Sequence, residues 1–137
     1  MKDYQPGDIR NFAIVGHASC GKSMLSEAIL ACAGVINRMG SISAGSTVSD
    51  YHESEHQRQI SVSTTLMHFE WQNKKFNMLD CPGYADFISE ALGALRVSDT
   101  AVVVVHANHG VGVGTDAVWK CATENGIPKV IVVNAFD

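Results

Sequence analysis

No excess of positive charge marks this 137-residue chain: 10 Lys and Arg stand against 14 Asp and Glu, a formal charge of −4. That balance leaves no electrostatic footprint for nucleic acid, so no direct nucleic-acid binding is expected of this segment. Long apolar runs are also missing. The longest, around Ala101 to Val105, falls far short of the ~20 residues a membrane helix needs. Lys2 is followed by polar residues rather than the apolar stretch of a signal peptide, so no membrane contact is expected. The 4 cysteines (Cys20, Cys32, Cys81, Cys121) lack CxxC spacing and sit among apolar neighbours, which predicts reduced thiols in the cytoplasm. Internal repeats and low-complexity segments are absent. What is present, 46% hydrophobic against 18% charged residues, suits one folded domain with a real core.

The most informative stretch is Gly16-His17-Ala18-Ser19-Cys20-Gly21-Lys22-Ser23, which fits G-x-x-x-x-G-K-[ST] at every fixed position. It follows the apolar run Phe12 to Val15 and precedes the helix-like run Met24 to Leu30, the strand–loop–helix context the motif requires. A chain of this length matches the pattern by accident about 0.5% of the time at ordinary residue frequencies. Without side chains at Gly16 and Gly21, the backbone can turn tightly enough to aim successive N–H groups at a phosphate chain. The helix start adds unpaired N–H groups and a positive dipole end. Lys22 is positioned to supply a point charge to the β- and γ-phosphates, and the Ser23 hydroxyl to ligate Mg²⁺.

Along the chain, residues 1–9 read as a loose arm with a Pro6-Gly7 turn, and residues 10–137 as one domain. Strands are predicted at Arg10 to Val15, Ser61 to Trp71 (Val62, Leu66 and Phe69 inward), Lys75 to Leu79, Ala101 to Ala107 and Lys129 to Val133. A turn is predicted at Asn73-Lys74. The Ala101 and Lys129 runs have the continuous apolar character of buried parallel strands. Helices are predicted over Lys22 to about Ala33, Ala85 to Leu95 and Thr115 to Asn125, with Gly34 and Gly126 as stops. Asn37 to Gln59 has no apolar periodicity; a loop that long in a compact domain points to disorder or to a functional lid or switch. The alternation predicts an α/β fold with a mostly parallel three-layer sheet.

Ligands of such sheets bind beyond the carboxyl ends of the strands. Asp80-Cys81-Pro82-Gly83 stands at one such end, where an acid can hold Mg²⁺ and a glycine can bring its N–H to the terminal phosphate. D-x-x-G alone is nearly worthless; its place after an apolar strand downstream of the phosphate loop gives it weight. Asn134 and Asp137 end the last strand. A carboxylate there can accept from the N1–H and exocyclic amine of guanine, a pairing adenine cannot reproduce.

Together these residues resemble translational GTPases, most closely the G domain of elongation factor G and its paralogues, over about Arg10 to Asp137. Gly16-His17 and Gly21-Lys22-Ser23 are followed by Arg58-Gln59-Ile60-Ser61, similar to the family's Arg-Gly-Ile-Thr. Asp80-Cys81-Pro82-Gly83-Tyr84-Ala85-Asp86-Phe87 is similar to its Asp-Thr-Pro-Gly-His-Val-Asp-Phe. Gly110-Val111, Thr115, Trp119 and Val132-Val133-Asn134 also fall into place. The resemblance implies a P-loop G domain that binds GTP and GDP with Mg²⁺ and hydrolyses GTP, coupled to factor action on the ribosome. It makes 37–59 the first switch and Asp80 to about Leu92 the second. The nucleotide is expected against Gly16 through Met24 (including Ala18, Ser19 and Cys20), Asp80 through Tyr84, and Asn134, Ala135, Phe136 and Asp137. The metal is expected on Ser23, Ser61 and Asp80, and catalytic roles on Lys22, Gly83 and Tyr84.

The sequence departs from the family in four places. Tyr84 stands where the family's water-positioning His is expected; a phenol is larger and cannot become a cation near neutral pH. Ser61 replaces Thr, Gln59 replaces Gly, and Ala135 replaces the Lys that would pack along the base. Weaker guanine affinity with the preference kept is expected. By the same resemblance the domain is incomplete after residue 137, short of a strand, a base-contacting loop and a closing helix. An alternative is a GTP-binding switch module with little hydrolysis. A distant one is a zinc metalloprotease through His52-Glu53-Ser54-Glu55-His56, a literal H-E-x-x-H without an apolar stripe to hold such a helix in a core.

Overall fold

A computed structural model describes residues 2–49, 55 and 60–136. Its elements are β1 (Ile9–Gly16), α1 (Lys22–Cys32), β2 (Thr65–Trp71), β3 (Lys74–Asp80), α2 (Ile88–Leu95), β4 (Thr100–His106), α3 (Val113–Glu124) and β5 (Lys129–Asn134). They form a 5-stranded sheet in the order β2-β3-β1-β4-β5. β1 runs parallel to both β3 and β4, β4 runs parallel to β5, and only β2–β3 is antiparallel. The predicted mostly parallel α/β architecture is the one observed.

Strand periodicity explains the layers. Ala13 and Val15 of β1 face one side of the sheet with Ala101 and Val103 of β4, and there meet Ala91, Ala94 and Leu95 of α2 and Val118 and Ala122 of α3. Ile14, between them, faces the other side with Val104, Met67, Phe69 and Met78, where Leu30 of α1 packs. Ile14, Leu30, Met78 and Leu95 are fully buried. Each contributes about 1.5–3 kcal/mol by leaving water. On the α1 side, Phe69 and Phe76 stack at 4.9 Å and Phe12 meets both edge-on.

Several expectations are corrected. β2 begins at Thr65 because the N–H groups before it are spent elsewhere: Val62 and Ser63 donate to the Glu55 carboxylate and Thr64 to Glu90. Leu66, predicted inward, is 67% exposed, while Thr65, Met67 and Phe69 are buried. The hairpin register decides this, since Met67 pairs with Met78 and Phe69 with Phe76. The turn falls at Gln72-Asn73, both at positive φ (47° and 60°), as a two-residue hairpin loop requires. β5, predicted buried, is an edge strand with Val130, Ile131 and Val133 about half exposed. Ala85–Phe87 is a 3₁₀ turn and the α-helix starts only at Ile88. The amino-terminal arm is less loose than predicted: it holds a 3₁₀ turn at Pro6–Asp8 and pairs Lys2 with Glu70 and Asp8 with Lys74. Gly34 and Gly126 end their helices at φ 73° and 65°, as predicted. Residues 37–49 contain no helix or strand, whereas Glu55, further along the predicted 37–59 loop, is helical. Of the other residues singled out there, His52, Glu53, His56, Arg58 and Gln59 lie outside the described residues, as does Asp137.

Candidate functional site

The parallel register brings three strand ends together. Ile14 aligns with Asp80 on one side of β1 and Gly16 with Val104 on the other, so the chain leaves β1 between the ends of β3 and β4. Gly16 takes φ 145°, and a Cβ there would stand 2.3 Å from the Val104 carbonyl oxygen, so only glycine fits. Ser19 (φ 59°) and Gly21 (φ 89°) are left-handed, and the alternation curls the loop into a concave backbone turn. Helix α1 begins immediately afterwards at Lys22.

A cleft of about 310 Å³ opens over this turn, lined by Ala18, Ser19, Gly21, Lys22, Ser23, Ile42, Ile60, Ser61, Gly83 and Tyr84. Lys22 is buried, 7% exposed, and its ammonium donates to the His17 carbonyl at 2.8 Å. Ser23 and Ser61, 38 residues apart, bring their hydroxyl oxygens to 3.3 Å. Asp80 is buried, 2% exposed, at the end of β3. Cys81 and Pro82 are buried behind it, and burial pushes the Cys81 thiol up to about 12. Burial also raises the Cys20 thiol. Both sulfurs are therefore neutral thiols near pH 7. Gly83 lies so close to the loop that a Cβ would meet Lys22 Nζ at 2.3 Å and the Ala18 nitrogen at 2.7 Å. Tyr84 is 40% exposed on the cleft wall.

Asn134, at the end of β5, reaches back to donate from Nδ2 to the Cys20 carbonyl at 3.1 Å. Ala135 follows at φ 57°, and Phe136 is 78% exposed. Met24 is half-buried on α1 and does not line the cleft.

Sequence reasoning missed three parts of this site. Ile42 and Ile60 form a cleft wall, a role expected of neither, although Ile60 belongs to the Arg58-to-Ser61 segment likened to the family. The start of α3 and the Gly112 before it also pack on the phosphate loop from behind. The His17 N–H donates to Thr115 Oγ1 (3.2 Å) and the Gly114 N–H to His17 Nδ1 (3.3 Å), while a Cβ at Gly112 would stand 2.6 Å from the imidazole. Finally, Glu27 on α1 is 1% exposed with its carboxylate turned to the 37–49 loop.

The donor set has a clear chemical character. No group of three or more His, Cys, Asp or Glu among the described residues is arranged to hold a metal. The oxygens of Ser23, Ser61 and Asp80 are hard donors, too few to enclose an ion and suited to Mg²⁺ that keeps phosphate and water ligands. Among the described residues no helix is long and apolar enough to cross a membrane.

Comparison with known proteins identifies the family. Residues 7–137 match the family described as "Elongation factor Tu GTP binding domain". The chain is 41% identical over 129 residues to the mitochondrial ribosome-releasing factor 2 of Schizosaccharomyces pombe, covering 94% of this chain and 16% of that protein. It is 39% identical over 132 residues to an elongation factor G-like protein of Mycobacterium tuberculosis, covering 96% and 18%. A crystal structure of a Thermus thermophilus protein superposes with a TM-score of 0.88 at 39% identity, over 91% of this chain and 19% of that one. Translation elongation factor SelB of Methanococcus maripaludis, solved with the GTP analogue GppNHp, superposes at 0.68 with 22% identity over 92% of this chain and 22% of that one, a likeness of fold. The chain thus spans less than a fifth of the curated relatives named here. With the profile covering nearly its whole length, this chain belongs to the elongation factor Tu GTP-binding domain family.

Proposed function

We propose that the cleft binds GTP and GDP with Mg²⁺ and that the domain hydrolyses GTP within a translation factor acting on the ribosome. The observation that carries this reading is the convergence of buried Lys22, the Ser23–Ser61 hydroxyl pair and Gly83 over a glycine-built turn. Lys22 neutralises charge on the β- and γ-phosphates, and the backbone from Ala18 to Ser23 cradles them. Ser23, Ser61 and Asp80 would hold the magnesium ion. Held there, it would supply positive charge to offset the negative charge on the phosphates. Gly83 offers its N–H where the terminal phosphate must lie. Asn134 braces the loop through the Cys20 carbonyl, and Asp137 selects guanine. Guanine-nucleotide binding belongs to the family, and the ribosome is implied by what the relatives are called. The free thiols of Cys20, Cys32, Cys81 and Cys121 suit a reducing compartment, cytoplasmic or mitochondrial.

Titration calorimetry at millimolar Mg²⁺ tests the reading: GTP and GDP bind and ATP fails to compete. Silence with both guanine nucleotides, or equal competition by ATP, overturns it.

A second reading keeps binding and drops most of the hydrolysis. It is favoured by Tyr84 itself, which stands on the cleft wall where the family's His is expected and cannot turn cationic. Single-turnover hydrolysis with and without ribosomes, in wild type and Tyr84→His, separates the two. A faster Tyr84→His supports the switch-module reading; an unchanged rate shows that the residue was not limiting.

A further inference from the structure

Glu27 is the one buried acid of α1, and none of the roles above uses it. It lies one helical turn past Ser23, on the helix that begins at the phosphate loop. Its carboxylate is not part of the cleft lining and takes two backbone donors from the 37–49 loop: Gly40 N–H to Oε2 at 2.7 Å and Val48 N–H to Oε1. An acid 1% exposed must have its charge answered, and here loop N–H groups provide the answer.

The loop between these two points is closed on itself. Ser46 N–H donates to the Ser41 carbonyl, Gly45 N–H to the Ile42 carbonyl, and Ser41 N–H to Ser46 Oγ. Gly40 lies so near the returning strand of the loop that a Cβ would stand 2.2 Å from the Ser46 carbonyl oxygen. Beyond Val48, the Ser49 carbonyl accepts from Thr65 Oγ1 of β2 at 2.8 Å. Within the closed loop sits Ile42, which reaches the cleft beside Ile60 and Ser61. Those three residues line the cleft along with Lys22, Gly83 and Tyr84; Asn134, at the guanine end, does not line it.

We infer that Glu27 is a positioning residue: its carboxylate clamps both arms of the 37–49 loop and thereby holds the Ile42 wall over the terminal-phosphate end of the cleft. The inference rests on the nucleotide reading above and adds a selectivity to it. A ligand is retained by a wall only to the extent that it touches that wall. The triphosphate reaches that end of the cleft and the diphosphate stops short of it. Losing the clamp therefore loosens GTP and leaves GDP in place.

Two variants test this on the whole chain. Glu27→Gln keeps the shape but presents an amide NH₂ to one of the two N–H donors, so one arm of the clamp fails. Gly40→Ala forces the loop from its own side without touching α1. Release of a fluorescent GppNHp analogue is expected to quicken about tenfold in both, the worth of one lost charge-assisted bond. Release of the matching GDP analogue stays as in wild type. Tryptic cleavage after Arg38, exposed in the loop, accelerates in both variants without any nucleotide. Equal quickening of both nucleotides assigns Glu27 a general structural role and overturns the inference, as does cleavage after Arg38 at the wild-type rate. Should Glu27→Gln not fold, Gly40→Ala carries the same readouts. A wild type that binds no guanine nucleotide sinks the proposed function, while the clamp is then decided by the cleavage alone.

Discussion

Gly83→Ala puts the smallest possible side chain into the corner where the cleft must admit a terminal phosphate. Gly83 is not among the glycines at positive φ, so alanine meets no backbone penalty and the effect is steric alone. Its Cβ would stand 2.3 Å from Lys22 Nζ and 2.7 Å from both the Ala18 nitrogen and the His17 carbonyl carbon. The ammonium is the end of a flexible chain and can swing. The other two atoms are backbone of the phosphate loop, and they must retreat by about 0.8 Å to reach ordinary contact. That loop is pinned from behind by Thr115 and the Gly114 N–H, so its retreat is resisted. Overpacking of this kind costs about 1–3 kcal/mol. Spent against nucleotide binding, it weakens GTP by about 5- to 150-fold. GDP, which stops short of the corner, loses less. Competition against a fluorescent guanine nucleotide reads both affinities, and thermal melting shows whether the free protein has also been strained. A Gly83→Ala protein whose GTP affinity equals wild type refutes the reasoning. So does one whose GDP affinity falls as far as its GTP affinity.

Asn134→Ala removes the donor to the Cys20 carbonyl; guanine-nucleotide affinity should fall by about 1–3 kcal/mol, read by calorimetry. Thiol labelling with iodoacetamide at pH 8, followed by mass spectrometry, should modify exposed Cys32 first and Cys81 last. Burial holds the Cys81 thiol protonated up to about 12, so raising the pH to 9 should not bring it into reaction. Leu66→Ser should leave the melting temperature nearly unchanged because the side chain is 67% exposed, whereas Met67→Ala, at 7% exposed, should cost about 2–5 kcal/mol in denaturant unfolding. The opposite order would mean that β2 is paired one residue out of register.

The phosphate loop, its flanking strand and helix, and the Asp80-to-Gly83 turn were all legible from residue pattern, because each is a local device. Glycine spacing, an apolar strand before and a helix after are written within a few residues of one another. The limits of β2 were not legible. Val62 to Thr64 have strand-compatible side chains, but their N–H groups go to Glu55 and Glu90, acids 7, 8 and 26 residues away. Leu66 misled for a related reason: both Leu66 and Met67 are apolar, and only the hairpin register, set at Gln72-Asn73, decides which turns inward. The apolar run of β5 says that the strand suits burial, whereas exposure depends on what lies beside it, and β5 is at the sheet edge. Glu27 escaped notice because a single acid on a helix ordinarily means a solvated face. Its burial becomes visible only when a loop 13 to 21 residues further on folds over it.

Distance in sequence and convergence in space come together through register. Ile14 opposite Asp80, Gly16 opposite Val104 and His106 opposite Asn134 set the ends of β3, β1, β4 and β5 on one side of the sheet. Each end leads to a different part: the acid, the glycine turn, the packing start of α3 and the amide that braces the turn. Moving any one strand by a single residue would reverse its buried face, exchanging Ile14 for Ala13 or Val15 against α1, so the core enforces the site. The β4 end shows the division of labour most plainly. It offers no group to the cleft, yet Gly112, Gly114 and Thr115 fix His17 from behind. The carbonyl of that same His17 accepts from the Lys22 ammonium. A substitution at the start of α3 therefore acts on the charge that faces the cleft through one intervening residue, which makes Gly112 and Thr115 as much a part of the site as the residues lining it.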